Sequence, residues 1–589
     1  MPLFDKNQAT FFPSERQQKS GLVALLDSWA PALAVFVAIA KACNGFRVLQ
    51  RDPGKRAYIR NATLVGQRLI YGILLLIGLL LAIRFAVFWF SPARLPRDFG
   101  DNLELGNVAL FAGLTFVIWH RQAIDIIGWL ICSRVEPHYE PPLPAEGLRV
   151  AFLTTFVPGT ESPEILRQTL ASMVLADYPH DTWLLDEGDN YEVRAMCELL
   201  GVKHFSRNGI DDYNQARGRF LAKSKAGNHN AWYARHARKY EIVAQVDSDF
   251  TVRRDFLTRT LGYFRIPEVA FVGTPQIYGN LNNWVARGAA QQTYLFYGPI
   301  MRALSRRRMT LLIGANHVVR VGALEDIGWY EGHLTEDLAT GKRFHADRWE
   351  SIYVPEPLTI GEGPTSLTAY FNQQYRWAFG CINIFFTHSP RLNFKMRWSH
   401  ALYYFLLEQF YFTGLTMAIA VALLMMYYFF GWAPAQIQIH QLAVWYMPLL
   451  AWRQVILLWL QRFNVRPREE RGLLWAGRLL TVIVIPIYFL ALIGVVRNKK
   501  MTFKTTPKGE NSSGSDSLRI FVPHLVLSGL MLVGMSVGLA LGHRGWVFLA
   551  WGCVTTGLLS ALFIGKLCKR LFKSLRWRRI ESRDVESAS

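Results

Sequence analysis

The sequence contains few cysteines for its length, and those present are scattered. Its 589 residues include six cysteines, and no two of them form a Cys-x-x-Cys pair. A zinc site or a framework of disulfides is therefore not expected. Histidines such as His229, His317 and His345 also lack metal-ligand spacing, so none of them is assigned a metal-binding role.

Charged residues are also scarce, and acidic residues are outnumbered. Charged residues make up 19% of the chain, whereas hydrophobic residues make up 51%. Lysine and arginine together number 65 against 44 acidic residues, which gives a formal net charge of +21. This composition argues against a disordered chain, a collagen, a small disulfide scaffold and an ordinary cytosolic enzyme. It indicates a membrane protein with a sizeable soluble part.

Long apolar runs identify the membrane part of the chain. A spanning helix needs about 20 mostly apolar residues. The runs that meet or approach this length are 69–90, 413–432, 443–460, 520–541 and 546–564, together with 106–119, which continues toward Cys132. The segment 29–40 is short and contains Pro31, so it is either a first span or an interfacial helix. The residues before it do not resemble a cleaved signal peptide, because the apolar run starts too late.

Basic residues in the loops predict the orientation, because lysine and arginine concentrate on the cytoplasmic side. The stretch 43–68 carries six basic residues against one acid, whereas 91–104 carries two against three. We therefore expect 43–68 inside and 91–104 outside, which places 133–412 in the cytoplasm. The segment 479–496 is apolar enough to span, but a span there would put a very basic stretch outside. It is predicted to lie in the cytoplasmic interface.

These features divide the chain into membrane and soluble parts. The predicted parts are an N-terminal segment with two or three transmembrane helices (1–132), a cytoplasmic α/β domain (133–390), interfacial helices (391–412), a transmembrane pair (413–460), an interfacial helix with a loop (461–519), a second transmembrane pair (520–566) and a basic cytoplasmic tail (567–589).

Within the soluble part, apolar strands alternate with helical patterns. The predicted strands are 148–156, 182–186, 241–247 and 269–274, and the predicted helices are 164–175, 192–200, 220–239 and 254–264. This alternation predicts a mostly parallel sheet with helices on both faces. Ligands bind such sheets beyond the carboxyl ends of the strands. We therefore expect functional residues at 155–160, 186–190, 247–249 and 274–276, with Thr155 among the ligand-binding candidates.

Acidic motifs follow two of the predicted elements. Asp247 and Asp249 stand at i and i+2 of an extended chain, so their carboxylates point the same way and suit Mg²⁺ or Mn²⁺. A solvated turn is the alternative. Glu336 and Asp337 precede a predicted helix at 338–345. Either one acid caps that helix, or Asp337 acts as a general base.

Three further segments suit phosphate or sugar binding. Gln373, Arg376 and Trp377 share one helix face, where arginine can clamp phosphate and tryptophan can stack on a sugar ring. The alternative is an amphipathic helix next to the membrane. Lys225, before a helix, is placed either near phosphate or in a surface loop. The segment 503–508 suits a lid that closes on phosphate, or a basic loop that binds acidic lipid.

Taken in order, these motifs resemble those of the processive membrane-integrated family 2 glycosyltransferases, which include cellulose, curdlan, chitin and hyaluronan synthases. The family pattern is an early Asp, Asp-x-Asp, Thr-Glu-Asp and Gln-Gln/Arg-x-Arg-Trp. It corresponds here to Asp186, 247–249, 335–337 and 373–377. The gating-loop motif Phe-x-Val-Thr-x-Lys resembles 503–508, with Thr505 in place of valine. The resemblance covers roughly residues 65–566.

The resemblance implies an α/β GT-A-type (Rossmann-like) cytoplasmic domain inserted between α-helical transmembrane bundles. It also implies a role for each motif residue. Asp186 would contact the uridine, and Asp247 and Asp249 would bind the metal and the diphosphate. Asp337, with Glu336, would occupy the catalytic position, Gln373 and Arg376 would contact the pyrophosphate, and Trp377 would contact the acceptor. Phe503, Thr506 and Lys508 would form the gating loop over the nucleotide. Thr155 and Lys225 complete the expected nucleotide-binding set.

The activity implied by the resemblance is processive, inverting synthesis of a β-glucan from UDP-glucose with Mg²⁺ or Mn²⁺. The expected location is a bacterial inner membrane. The expected partners are the growing polysaccharide and the bilayer, with accessory or periplasmic export subunits as further candidates. No nucleic acid is expected as a partner. Three departures leave β-1,3 and β-1,4 linkage both open. Glu187 follows Asp186, 312–316 replaces Phe-Phe-Cys-Gly-Ser, and the tail is too short for a cyclic-di-GMP-binding domain.

Other functions also fit the sequence. A hyaluronan- or chitin-type synthase would use N-acetylated UDP-sugars, and a non-processive transferase would add one sugar to a lipid. A transporter or scaffold with an inactive transferase domain is suggested by Arg84 and Arg453, which lie inside predicted spans.

Overall fold

The computed structural model describes residues 64–99, 105–135, 140–159, 161–499, 518–561 and 563–565. The segment 29–40, the motif at 503–508 and the basic tail at 567–589 lie outside these residues. Within the described residues, two helices precede the α/β domain, α1 (Leu64–Trp89) and α2 (Leu105–Cys132). Both are long and apolar enough to cross a membrane, and α2 runs to Cys132 as the sequence predicted.

The α/β domain is built on a seven-stranded sheet with a separate two-stranded ribbon. The nine strands are β1 (Val150–Phe156), β2 (Asp181–Asp186), β3 (Lys203–Phe205), β4 (Ile242–Val246), β5 (Thr251–Val252), β6 (Val269–Gly273), β7 (Asn316–Arg320), β8 (Glu350–Tyr353) and β9 (Thr359–Ile360). The order in the main sheet is β3-β2-β1-β4-β7-β6-β8, and β5 pairs with β9. All pairs in the main sheet are parallel except those of β7, which runs antiparallel to both β4 and β6.

Apolar side chains cover both faces of this sheet. Successive residues of a strand point to opposite faces, so Phe152 belongs to one buried cluster and Leu153 to another. Every residue of β4 and β6 is buried. Such continuous apolar runs are typical of strands that helices cover on both sides.

The helices of this domain follow the predicted pattern, with one shifted start. They are α3 (Pro163–Val174), α4 (Tyr191–Leu200), α5 (Lys225–His236), α6 (Phe256–Leu261), α7 (Trp284–Leu295), α8 (Met301–Ser305), α9 (Val321–Asp326) and α10 (Glu336–Ala346). The prediction that a helix begins at 220 is wrong. Lys223 has a left-handed backbone with φ of 53°, and the Ser224 hydroxyl accepts a hydrogen bond from the Gly227 amide, which fixes the start at Lys225.

In the part of the chain that the structure describes, ten further helices follow α10, and the first of them still belongs to the α/β domain. They are α11 (Leu367–Thr387), α12 (Ser389–Leu392), α13 (Trp398–Phe410), α14 (Thr413–Phe430), α15 (Ile439–Trp445), α16 (Met447–Leu460), α17 (Trp475–Ile483), α18 (Ile485–Val496), α19 (Val522–Ala540) and α20 (Trp546–Ala561). Among the described residues, six helical segments are long and apolar enough to cross a membrane, and α20 is shorter.

The segment 479–496 is divided between α17 and α18. The break falls at Val484, and Pro486 stands in the first turn of α18, where its missing amide hydrogen costs no helix bond. Helix α17 packs on α7 and α18 packs on α11, so both helices contact the α/β domain. By length and hydropathy the joined segment Trp475–Val496 is one of the six possible spans. Its interfacial position stays a prediction.

Candidate active site

The carboxyl ends of the central strands open on one cavity of about 1090 Å³. Nine of the residues selected from the sequence line it, which are Thr155, Lys225, Asp247, Asp249, Glu336, Asp337, Gln373, Arg376 and Trp377. Residues from distant parts of the chain therefore share one space.

The first wall of the cavity carries Asp247 and Lys225. The Lys225 ammonium donates hydrogen bonds to Asp247 Oδ1 and, at 2.7 Å, to the Gly314 carbonyl. Burial disfavours the charged lysine, but the carboxylates of Asp247, Glu336 and Asp337 outweigh burial, and the pKa of Lys225 is raised. Lys225 thus supplies a fixed positive charge inside the cavity.

Asp249 stands beside this pair and is only 5% exposed. Its Oδ2 accepts a hydrogen bond of 3.3 Å from the Glu362 amide, while the Asp247 amide donates to the Ala315 carbonyl at 2.8 Å. These bonds hold the turn after β4, so that both carboxylates reach the cavity. No group of three or more acidic, histidine or cysteine side chains suited to a metal occurs in the described part of the chain. Two carboxylates fit a Mg²⁺ or Mn²⁺ that takes its remaining oxygen ligands from a diphosphate and water.

The opposite wall is the start of α10, which carries Glu336 and Asp337. Asp337 Oδ2 accepts a hydrogen bond of 2.9 Å from the Gly314 amide, and Oδ1 accepts one of 2.8 Å from the Leu338 amide. Burial raises the pKa of Asp337. Burial and the neighbouring Asp337 charge raise the pKa of Glu336 to about 7. Carboxylates with pKa values moved toward neutrality are suited to general acid–base chemistry.

Gly314 connects the two walls and was not predicted as a site residue. Its carbonyl accepts hydrogen bonds from Lys225 and from Gln245 Nε2, while its amide donates to Asp337. A Cβ atom at this position would lie 2.8 Å from Asp337 Oδ2. Only glycine therefore allows the loop to approach the carboxylate this closely. The sequence signal was its place in the segment 312–316, which we noted only as a departure from a family pattern.

Helix α11 forms a third wall. Ser366 caps it, because its hydroxyl accepts a hydrogen bond of 3.1 Å from the Ala369 amide. Gln373, Arg376 and Trp377 all line the cavity. The intervening Gln374 accepts a 2.8 Å hydrogen bond from the Tyr488 hydroxyl, which ties α11 to α18.

Asp186 differs from the other candidates because it does not line the cavity. It is fully buried at the end of β2, and its carboxylate accepts 2.9 Å hydrogen bonds from the amides of Gly188 and Asn190. Burial raises its pKa, but His204 and these two amides more than offset burial, and the pKa is lowered. Asp186 therefore shapes the turn after β2. Its predicted contact with uridine stays a prediction.

Glu187, the residue after Asp186, does line the cavity and was not selected from the sequence. It forms an ion pair of 2.5 Å with Arg207, whose side chain is completely buried. The same guanidinium donates to the backbone carbonyls of Tyr213, Leu221 and Ser224. It thereby holds the segment that leads into Lys225. The gating-loop candidates Phe503, Thr506 and Lys508 lie beyond the described part of the chain.

The cavity is also lined by residues of the apolar helices. Among these are Arg121, Asp125 and Trp129 of α2, Tyr403, Leu407 and Phe410 of α13, and Leu457 and Leu460 of α16. Asp125 pairs with Arg453 at 2.9 Å and with Arg121 at 3.3 Å. Arg84, in contrast, lies 4.3 Å over the Trp445 ring.

Sequence comparisons identify relatives of this domain. Residues 242–497 match the family described as glycosyl transferase family group 2. The chain is 25% identical over 538 residues to the cellulose synthase catalytic subunit [UDP-forming] of Pseudomonas fluorescens, which covers 87% of this chain and 65% of that protein. It is 23% identical over 494 residues to the cellulose synthase 1 catalytic subunit [UDP-forming] of Komagataeibacter xylinus, covering 79% and 63%. The chain thus spans less than two thirds of the length of these relatives.

Among solved structures, the chain is similar to the mannosyltransferase PcManGT from Pyrobaculum calidifontis in complex with GDP-Man and Mn²⁺, with a TM-score of 0.44 and 13% identity. The match covers 66% of this chain and all of that one.

Two predictions from the motifs are confirmed. Residues 242–497 match a glycosyltransferase family, and the chain resembles family 2 synthases of the cellulose synthase type. The predicted architecture, an α/β domain with a mostly parallel sheet between groups of apolar helices, is also confirmed.

Proposed function

We propose that this protein is a processive, inverting β-glucan synthase, which transfers glucose from UDP-glucose to a growing chain and passes the product through its helical part. The observation that carries the proposal is the shared cavity. It contains Asp249, Asp337 and Trp377 together with Arg121 and Phe410 from helices that adjoin the membrane part. A hydrophilic polymer cannot cross lipid unaided, so a cavity that extends from the transfer site to the apolar helices offers the product a route toward the membrane.

We assign the proton transfer to Asp337. An acceptor hydroxyl attacks C1 of the donor sugar, the new C1–O bond forms on the face opposite the leaving group, and the bond to the diphosphate oxygen breaks. The hydroxyl proton passes to the Asp337 carboxylate, and the bonding electron pair leaves with UDP. The Gly314 amide fixes the orientation of Asp337 by binding Oδ2. Positioning the base in this way lowers the barrier to proton transfer.

The leaving diphosphate gains negative charge during transfer, and the cavity supplies positive charge. Lys225 is held beside Asp247, and Arg376 lines the same space. When bound by Asp247 and Asp249, Mg²⁺ or Mn²⁺ would neutralise the diphosphate as a Lewis acid. Trp377 offers its ring to the acceptor sugar. In the same proposal, Phe503, Thr506 and Lys508 belong to a loop that closes on the nucleotide.

The proposed donor is UDP-glucose, as the motif resemblance to family 2 synthases implies. The relatives in Pseudomonas and Komagataeibacter are cellulose synthases, which favours a β-1,4 product. The different sequence at 312–316, which holds Gly314 against the base, keeps a β-1,3 product as the alternative. We place the protein in a bacterial inner membrane with its α/β domain in the cytoplasm, with export subunits as candidate partners.

The test uses membranes that contain the full chain, supplied with UDP-glucose or UDP-N-acetylglucosamine and with Mg²⁺ or Mn²⁺. We expect a high-molecular-weight product from UDP-glucose that a β-1,4- or a β-1,3-glucanase digests, and no product when the metal is chelated. Asp337→Asn should abolish the product while UDP still binds, because only the proton acceptor is lost.

The matched control is Asp326→Asn, an exposed carboxylate in α9 that does not line the cavity. It should leave synthesis unchanged. Retained UDP binding without polymer from either sugar would refute the proposal. A polymer from the N-acetylated donor alone would assign the protein to the chitin or hyaluronan type, and short products would indicate a non-processive transferase.

A further inference from the structure

Three arginines converge where the α/β domain meets the apolar helices. Arg307 follows α8, Arg348 stands in the turn before β8, and Arg397 is the N-cap residue of α13. None of these three forms an ion pair with an acidic side chain within the described residues. We call them the arginine cluster.

Hydrogen bonds bring the segments of the three arginines together. The Ser351 amide donates to the Arg308 carbonyl at 2.9 Å, and the His345 ring is 2.9 Å from Ser351 Oγ and 2.8 Å from the Tyr404 hydroxyl of α13. The ring of the buried His400 of α13 is 5.4 Å from that of His345, which lies three residues before Arg348. Burial, followed by the charges of Arg397, Arg307 and Arg348, lowers the pKa of His400 to about 4. Like charges held together disfavour each other unless an anion joins them. All three positive charges therefore act on the first turn of α13.

An apolar stripe runs along α13 from the cluster. Trp398, Leu402 and Phe405 stand at i, i+4 and i+7, so they share one helix face, and their exposed fractions are 76%, 40% and 42%. The other face is buried, and Tyr404 and Glu408 are completely inaccessible. Exposing such a stripe to water costs hydrophobic free energy. A basic helix end joined to an apolar face is typical of a helix in a membrane interface.

The neighbouring helices put this surface beside two candidate membrane spans. Helix α2 ends at Cys132 and contacts both α8 and α13, and α13 leads directly into α14. Both α2 and α14 are long and apolar enough to cross a membrane. Just before Arg397, the residues Phe385, Phe386, Ser389, Pro390, Asn393 and Phe394 line a mostly apolar crevice of about 320 Å³.

We propose that the arginine cluster binds the phosphate of an anionic membrane lipid, whose acyl chains lie against the apolar stripe of α13 and the adjoining crevice. Guanidinium groups recognise phosphate with paired, charge-assisted hydrogen bonds. A free phosphate would neutralise the cluster but would leave the stripe and the crevice in water, so the surface fits a lipid. Because Tyr403, Leu407 and Phe410 of α13 line the large cavity, the lipid would also hold one wall of that cavity in place.

The test measures lipid retention by native mass spectrometry on the full chain, purified in a mild detergent with equal amounts of phosphatidylglycerol and phosphatidylcholine. The wild type should retain phosphatidylglycerol preferentially. Because each basic residue near an anionic surface contributes about 1 kcal/mol, replacing all three arginines in Arg307→Gln/Arg348→Gln/Arg397→Gln should weaken phosphatidylglycerol binding by roughly 100-fold. Millimolar glycerol phosphate should not displace the lipid.

The matched control removes the same charge elsewhere. Arg235, Arg238 and Arg254 are exposed on the α/β domain, and their triple replacement by glutamine should retain the lipid. Unchanged retention in the cluster variant, equal loss in both triple variants, or displacement by glycerol phosphate would each overturn the proposal. If the cluster variant fails to fold, Arg397→Gln alone should still weaken retention. The measurement needs no transferase activity, so its outcome is independent of the proposed synthase function.

Discussion

At the scale of single residues, the cavity depends on a glycine that brings two walls together. The Gly314 carbonyl accepts a hydrogen bond from Lys225, which also holds Asp247. The Gly314 amide orients the carboxylate of Asp337. Both contacts use the backbone of Gly314, so a substitution acts by steric conflict of the added side chain and not by the loss of a functional group. Its effect therefore reports how closely the base must be positioned.

We expect Gly314→Ala to impair transfer while sparing nucleotide binding. The added Cβ would meet Asp337 Oδ2 at 2.8 Å, so the carboxylate must shift. A misplaced catalytic group costs about 100-fold in rate, so kcat should fall by about that factor. Polymer synthesis and calorimetric UDP binding measure the two effects. Gly322→Ala is the control, because nothing lies within 4 Å of its added Cβ. Unchanged kcat in Gly314→Ala would remove Gly314 from the positioning role.

At the scale of secondary-structure elements, a buried ion pair joins the helix of the proposed base to a helix that lines the cavity. Lys342 of α10 donates a 2.6 Å hydrogen bond to Glu408 of α13, and both side chains are completely inaccessible. Ser389 donates to the same carboxylate oxygen at 2.8 Å. Burial lowers the pKa of Lys342 and raises that of Glu408, while their attraction opposes both shifts.

Breaking this pair on one side should cost more than removing both charges. Lys342→Met leaves a buried carboxylate without its cation, and we expect a loss of about 3–5 kcal/mol in unfolding free energy. Lys342→Met combined with Glu408→Leu should recover most of it, because no charge stays buried. Thermal unfolding in detergent gives the ranking.

The neighbouring Arg343 provides the comparison for the buried pair. It pairs with Glu331, and the two side chains are 43% and 25% exposed, so Arg343→Met should cost at most about 1 kcal/mol. If Lys342→Met unfolds at the same temperature as the double variant, the ion pair does not hold the two helices together.

At the scale of the whole molecule, contacts between loops bear on the predicted orientation. Arg94, in the loop after α1, donates to the Gln436 carbonyl at 2.8 Å, and Asp98 accepts from the Ala433 amide at 2.9 Å. These two loops therefore lie at the same end of the helices. The charge pattern independently predicts that 91–104 lies outside, and it predicts the same for 433–442, which contains no lysine or arginine.

A cysteine at Gln436 should be labelled by a membrane-impermeant maleimide in intact spheroplasts, because its loop is predicted to face outward. A cysteine at Leu199, which is 88% exposed on the α/β domain, should react only after permeabilisation. The wild type, whose Cys553 is exposed, gives the background. Labelling of Leu199→Cys in intact spheroplasts, or protection of Gln436→Cys there, would invert the predicted orientation.

Local spacing in the sequence was sufficient for several elements. The alternation of apolar strands and helical patterns located β1, β2, β4 and β6, because burial on both faces demands continuous apolar runs. The spacing of Gln373, Arg376 and Trp377 placed all three on one helix face, because helical periodicity is a local property. Long apolar runs likewise identified helices long enough to cross a membrane.

The tertiary structure decided which residues that are distant in sequence contact each other. The antiparallel insertion of β7 between β4 and β6 brings Gly314 to the tip of the sheet, where it contacts both Lys225 and Asp337. The turn after β2 surrounds the Asp186 carboxylate with amides, and Lys342 meets Glu408 across two helices. Such contacts depend on which strands pair and how helices pack, and no periodicity encodes them. The sequence determined which chemical groups are available and on which elements they stand, and long-range packing decided which of them face the cavity.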